Sequence, residues 1–269
     1  MRASGLSSKG QPVWALHGLG ITLARFARDA KPTRIVTAFD LPGGSPARRA
    51  MAPGYKGNRH TPEEDLRLQL NSAIELFGQA GLGSTTVDGW EADDVMASAV
   101  RASNDRGWQS IVVSSDRDAY QLIGERCVVA KPDGVRWDSA RVMDEIGVTP
   151  DGYRHLAALR GEPSDNLTGI PGVGPKTAVK ILNSYASVDH AVSDMPGLET
   201  LVGKATAAKL SENISTYHTN LRVGELRQDL PVDAALDIIP DADKAQAAFL
   251  HFGLPAAAAK LSAALRTAR

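Results

Sequence analysis

Residues 110–115, Ser-Ile-Val-Val-Ser-Ser, form an almost continuous apolar run around the β-branched Ile111, Val112 and Val113, and an acid, Asp116, follows it at once. Too short for a helix and without polar alternation, such a run predicts a strand buried in a parallel sheet. Parallel neighbours need long crossover connections, usually helical, so the surrounding chain has to alternate strands with helices. It does. Residues 33–39 (TRIVTAF) read as a strand ending at Asp40. Thr61-Pro62-Glu63-Glu64 reads as a helix start, with Thr61 as N-cap and Glu64 completing a capping box. Leu66, Leu70, Ala73, Ile74 and Phe77 give that helix one apolar face, and Gly81 and Gly83 end it. A strand through Thr86 and Val87, a helix opening near Glu91 and a strand over 127–130 follow. The expected fold is α/β, with a mostly parallel central sheet flanked by helices.

In open parallel sheets, sites form beyond the carboxyl ends of the strands. Asp40 and Asp116 each follow a strand, Asp118 stands two residues on, and Glu91, Asp93 and Asp94 open a helix that follows another. Glu162 and Asp165 make a further acidic pair. Any one of these groups alone reads as helix capping or turn chemistry. Several converging on one sheet edge exceed what capping needs, and crowded carboxylates repel one another unless a cation is held among them. Hard divalent cations acting on phosphate esters are the chemistry that makes such crowding favourable.

Composition narrows the class. The single cysteine, Cys127, rules out an internal disulfide and a cysteine-based zinc site, and points to a reducing, cytoplasmic setting. No apolar run approaches the roughly 20 residues of a membrane helix, and MRASGLSSKG lacks the apolar core of a secretory signal. The net charge of -1, from 30 basic and 31 acidic residues, does not advertise a nucleic-acid binder. The charges are segregated, however. Between Asp40 and Glu63 there is no acid, while Arg48, Arg49, Lys56, Arg59 and His60 fall in the gap among Gly43, Gly44, Pro46, Pro53, Gly54 and Gly57. That pattern reads as a basic loop able to grip phosphate.

Residues 167–182, LTGIPGVGPKTAVKIL, carry the other strong signal. Gly172 and Gly174 flank one residue in a tight hairpin, and Pro175 opens a helix. Such glycines let backbone N–H groups approach a phosphate, with the helix N-terminus and Lys176 adding positive charge.

Taken in order, AFD (38–40), YKGNR (55–59), GWEADDV (89–95), SSDRDAYQL (114–122), GEPSDN (161–166) and GIPGVGPKTA (169–178) resemble the 5′-nuclease superfamily. Similar proteins are the 5′→3′ exonuclease domain of bacterial DNA polymerase I and stand-alone relatives such as phage flap endonucleases. The likeness runs from about Gly5 to Phe252-Gly253-Leu254 and implies the free-standing form. It implies a PIN/5′-nuclease-like core over 1–160 with a basic arch region at about 41–80. A helical subdomain over 161–269 follows, with a helix–three-turn–helix element at about 167–185. It also implies two Mg²⁺ sites, with Mn²⁺ able to substitute: Asp40, Glu91, Asp93 and Asp94 at one, and Asp116, Asp118, Glu162 and Asp165 at the other. Arg48 and Lys56 match residues that engage the scissile phosphate, with Arg49, Tyr55 and Arg59 beside them. Gly172, Gly174 and Lys176 match the element that grips duplex DNA, with K⁺ held by its carbonyls. The implied activity is hydrolysis of DNA at a 5′ end or 5′ flap, in replication or repair, by a monomer.

Two departures stand out. Position 162 is Glu where the family commonly has Asp. The family's opening apolar strand ending in Asp-Gly has no counterpart before MRASGLSSKGQPVW, and the expectation is that in-frame sequence upstream encodes it. A catalytically impaired, structure-specific DNA-binding protein of the same fold is the main alternative. An RNA-cutting metal nuclease or a small-molecule phosphohydrolase is disfavoured by the 167–182 hairpin.

Overall fold

The structure, a computed structural model, describes residues 6–8, 10–41, 43–60 and 62–267. The strands are β1 (Ser7–Ser8), β2 (Gln11–Pro12), β3 (Val36–Ala38), β4 (Gly83–Thr85), β5 (Ser110–Val113), β6 (Cys127–Ala130), β7 (Arg136–Trp137), β8 (Gly161–Glu162) and β9 (Leu167–Thr168). The helices begin with α1 (Trp14–Ala30), α2 (Pro46–Met51), α3 (Glu64–Gln79), α4 (Ala92–Asp105), α5 (Ser139–Ile146), α6 (Pro150–Arg160) and α7 (Pro175–Ser184). They continue with α8 (Val188–Ser193), α9 (Met195–Val202), α10 (Lys204–Glu212), α11 (Ile214–Val223), α12 (Asp233–Leu236), α13 (Ala242–His251) and α14 (Pro255–Thr267). The chain divides into two compact units, each discontinuous in sequence: residues 1–42, 61–103 and 228–269, and residues 43–60 and 104–227. These units cut across the boundary at residue 160 read from the sequence.

In the first unit β3 and β4 pair in parallel, Val36 opposite Gly83 and Ala38 opposite Thr85. Its core is helical. Leu16, Ala24 and Ala27 of α1 pack with Ala73, Leu76 and Phe77 of α3, Ala245 and Phe249 of α13, and Ala257, Leu261 and Leu265 of α14. The alanine-rich C-terminal stretch therefore closes on α1 and α3, where small side chains let helices approach closely. Phe77 meets Phe249 edge-on at 5.7 Å, a geometry that aligns ring edge with ring face. Helix α3 starts at Glu64 with Glu63 as its N-cap, and the N-cap read at Thr61 lies outside the described residues. Its buried face includes Gln69, whose Oε1 accepts from the Ala15 N–H at 2.7 Å and so caps the open start of α1. Leu70, read as part of the apolar face, is exposed.

In the second unit β5 and β6 are parallel and β7 adds an antiparallel edge. Among the described strands β5 pairs only with β6. That makes β5 an edge among the described strands, and Ile111 and Val113 stand 37% and 39% exposed on one of its faces, so it is not the buried central strand its composition suggests. Val112 of β5, Cys127, Val129 and Ala130 of β6 and Trp137 of β7 are buried. Helix α6 runs through this unit's core: Tyr153 packs edge-on against Tyr120, which stacks on Trp137 at 4.6 Å. The basic segment read as loop is partly helical. Ser45 caps α2, accepting from the Arg48 N–H, and Pro46 occupies the first turn.

Two outcomes follow from this packing. Phe249→Ala removes a wholly buried ring and should lower the unfolding free energy by about 3–5 kcal/mol in a urea titration. Burial pushes the Cys127 thiol up to about 12, so at pH 8 a thiol reagent should label the folded protein no faster than it unfolds.

Candidate metal centre

The first unit holds Asp40, Glu91, Asp93 and Asp94. Asp40 Oδ1 accepts from the Ala92 N–H at 2.6 Å, tying the end of β3 to the first turn of α4. Asp94 is fully buried, and its Oδ2 accepts from the Glu91 N–H at 3.1 Å. That is the returning arm of a capping box, so part of this acidic run serves α4 itself. Glu91 is also buried, at 5% exposure.

The second unit builds a cleft of about 540 Å³ lined by Ser115, Asp116, Arg117, Asp118, Tyr153, Arg160, Glu162, Pro163, Ser164 and Asp165. Asp116 follows β5, and its Oδ1 accepts from the Asp118 N–H at 2.9 Å, which opens a turn of 3-10 helix over Asp118–Leu122. Opposite, the β8–β9 hairpin carries Glu162 and Asp165. Gly161 makes this hairpin possible: its φ is +80° and a Cβ there would lie 2.3 Å from the Gly169 nitrogen. Four of the eight acids singled out from the sequence thus share one cleft.

Basic residues are fastened to the same hairpin. Arg59 Nη2 meets Asp165 Oδ1 at 2.6 Å. The Lys56 N–H donates to the Asp165 carbonyl at 2.9 Å, and Asn58 Nδ2 donates to the Pro163 carbonyl at 2.9 Å. Asn166 Nδ2 returns a bond to the Gly54 carbonyl at 2.7 Å. Lys56 takes a left-handed φ of 55°, and its Nζ lies 5.0 Å from the ring of the buried Tyr55. Lys56, Tyr55 and Arg59 therefore stand beside the acidic hairpin. Arg49 is turned the other way and donates to the Gly43 carbonyl.

Arg48 has a different placement from the one its position suggests. It is 3% exposed and does not line the cleft. Its Nε donates to the Val223 carbonyl at 2.8 Å and its Nη2 to the Glu225 carbonyl at 3.1 Å. A guanidinium there satisfies carbonyls at and beyond the C-terminus of α11 and complements the negative end of the helix dipole.

Arg160 and Tyr153 were not singled out from the sequence. Arg160 Nη2 pairs with Glu162 Oε2, and its guanidinium lies 6.0 Å from the Tyr153 ring centroid. Burial pushes the Tyr153 hydroxyl up to about 12, so it stays neutral at working pH. The available signal is that Arg160 stands two residues before Glu162 at the end of an amphipathic helix.

The oxygen-only donor set of the cleft fits a hard divalent cation in kind. Among the described residues no three such groups are drawn together into a ready-made cage. Arg59 and Arg160 supply the countercharge that Asp165 and Glu162 have in this structure. Further along the second unit, Gly172 turns the hairpin with φ +84°, Gly174 is the N-cap of α7, and Lys176 is exposed in the first turn. No described helix is long and apolar enough to cross a membrane.

The chain is also similar to known proteins. The pattern described as 5′-3′ exonuclease, N-terminal resolvase-like domain, matches residues 2–147, and that of the 5′-3′ exonuclease C-terminal SAM fold matches residues 148–246. DNA polymerase I of Mycobacterium bovis is 34% identical over 230 residues, 84% of this chain, and the thermostable DNA polymerase I of Thermus aquaticus is 31% identical over 92% of it. The chain spans only 25% and 29% of those polymerases. In three dimensions it is similar to the T5 5′-exonuclease with zinc bound, at TM-score 0.68 and 20% identity, covering 97% of this chain and 93% of that one. It is also similar to human GEN1 in complex with Holliday junction DNA, at TM-score 0.64 and 15% identity, covering 99% of this chain and 68% of that one.

The Arg48 geometry carries its own test. Arg48→Ala should lower the unfolding free energy by about 2–4 kcal/mol in urea, because it leaves buried carbonyls without a donor. A side chain used only to contact phosphate would leave stability unchanged.

Proposed function

Because the chain belongs to the 5′-3′ exonuclease family, we propose that it hydrolyses DNA phosphodiesters as a metal-dependent 5′→3′ exonuclease and structure-specific 5′-flap endonuclease. The observation that carries this reading is the cleft in which Asp116, Asp118, Glu162 and Asp165 meet, with the Lys56–Arg59 segment fastened to its rim. Acidic oxygens for cations beside basic groups for phosphate make an arrangement suited to phosphodiester hydrolysis. No serine, cysteine or histidine nucleophile is needed.

In this reading Asp116, Asp118, Glu162 and Asp165 would hold one divalent cation, and Asp40, Glu91 and Asp93 another, with Asp94 supporting them from its buried cap. Mg²⁺ is the proposed ion, with Mn²⁺ as a substitute. Such ions, when bound, activate water and neutralise charge on the phosphate. Lys56 and Arg59 steady the phosphate; Arg59 does so by exchanging its ion pair with Asp165. Arg160 and Tyr153 hold Glu162 in orientation. Gly172, Gly174 and Lys176 bind the duplex next to the 5′ end, with K⁺ at the hairpin carbonyls. Residues 1–160 thus carry most of the chemistry, to which 161–269 adds Glu162 and Asp165 besides the duplex grip, a functional division that differs from the compact units. A DNA substrate and a single buried cysteine fit a cytoplasmic monomer acting in replication or repair. The neighbours solved with divalent metal ions or with DNA support the same assignment.

The test is cleavage of a 5′-labelled flap duplex in Mg²⁺. Cleavage should vanish in chelator and fall by at least about 100-fold in Asp116→Ala. Flap binding that persists in chelator, with no cleavage in Mg²⁺ by the wild-type chain, would instead establish a DNA-binding protein without hydrolysis.

A further inference from the structure

Residues 173–181, VGPKTAVKI, and residues 202–210, VGKATAAKL, are two copies of one pattern. Val, Gly, Thr, Ala and Lys recur at the same five places, and Ile181 is matched by Leu210. The fold repeats with the letters. Gly174 is the N-cap of α7 and Gly203 that of α10. Ala178 and Ile181 are wholly buried on α7, as Ala207 and Leu210 are on α10. Thr177 and Thr206 are half-buried, and Lys180 and Lys209 are exposed. Packing accounts for the alanines and the Ile/Leu pair. It does not account for the outward lysines.

The outward side is cationic. Residues 166–188 and 200–211 contain no acid, yet they carry Lys176, Lys180, Lys204 and Lys209, all exposed. None of these four makes an ion pair among the described residues. The two copies also adjoin: a Cβ on Gly172 would lie 3.8 Å from Thr206 Oγ1 and 4.0 Å from Lys209 Cδ. The second copy therefore flanks the glycine turn of the first. Unpaired lysines on α7 and on α10, whose one acid is Glu212 at its C-terminal end, give a surface complementary to a row of phosphates.

We infer that α10 is a second phosphate-binding element, in which Lys204 and Lys209 extend the lysine face of α7 along the backbone of duplex DNA. This rests on the DNA-acting reading above and adds the second helix to it. The copy at 202–210 has one glycine where the first has Gly172 and Gly174, so its contribution comes through the lysine side chains and not through a close backbone turn.

Binding of a fluorescent blunt duplex, followed by anisotropy in Ca²⁺ across a salt series, tests it. Each lost phosphate contact should flatten the log–log salt dependence by about 0.9. Lys204→Ala/Lys209→Ala should therefore flatten it by about 1.8 and weaken binding by about 10- to 100-fold at the lowest salt. Lys204→Arg/Lys209→Arg should restore both, and Lys260→Ala, on α14, should change neither. Wild-type binding with an unaltered slope in the double alanine variant overturns the inference alone, as does an equal change in Lys260→Ala. No duplex binding by the wild-type chain overturns the DNA-acting reading and this inference with it.

Discussion

Mutual repulsion among carboxylates is the constraint around which the second unit is organised. Asp116, Asp118, Glu162 and Asp165 face one cleft, and uncompensated charges so placed would oppose folding. The chain answers with arginines on either side of the hairpin that carries two of these acids. Arg59 comes from the basic segment and holds Asp165; Arg160 ends α6 and holds Glu162. Both pairs are partly exposed, so each contributes modestly to stability. Their larger consequence is geometric. They, with the Lys56, Asn58 and Asn166 bonds, fasten the glycine-rich loop to the acidic hairpin. The loop is thereby held beside the acids that a phosphate ester would have to approach.

The same unit shows how one residue type serves two ends. Arg59 is about half exposed and pairs with an acid that an ion can also claim. Arg48, only eleven positions earlier, is buried against carbonyls at the end of α11. An exposed guanidinium can change partners at small cost, whereas a buried one that caps a helix cannot without stranding its acceptors. The lysines of α7 and α10 are a further case. They make no ion pair among the described residues, which leaves a long-range field suited to a polyanion.

Much of the fold was legible because local physics dictates it. The strands over 110–113 and 127–130, the αL turn at Gly81, the Pro175 helix start and the 132–134 turn depend on β-branching, glycine and proline alone. Acids at strand ends were legible as well, and two of them, Asp116 and Asp118, line one cleft with Glu162 and Asp165. Other features depend on partners distant in sequence. Leu70 and Gln69 reverse the expected pattern of α3 because the open start of α1 needs a buried acceptor. Ile111 and Val113 are exposed because they share the face of β5 opposite to the buried Val112.

The sequence by itself determined the side-chain inventory: clustered carboxylates, an acid-free basic segment and glycines for tight turns. Side-chain type and short-range spacing carry that information. Tertiary structure alone decided which groups meet. It set Arg59 on Asp165, buried Arg48 beneath α11, recruited Arg160 and Tyr153 to the cleft, and laid α10 beside the Gly172 turn. Each of those outcomes depends on segments tens of residues apart being packed together, and no local pattern encodes which of two similar cations will be the one left at the surface.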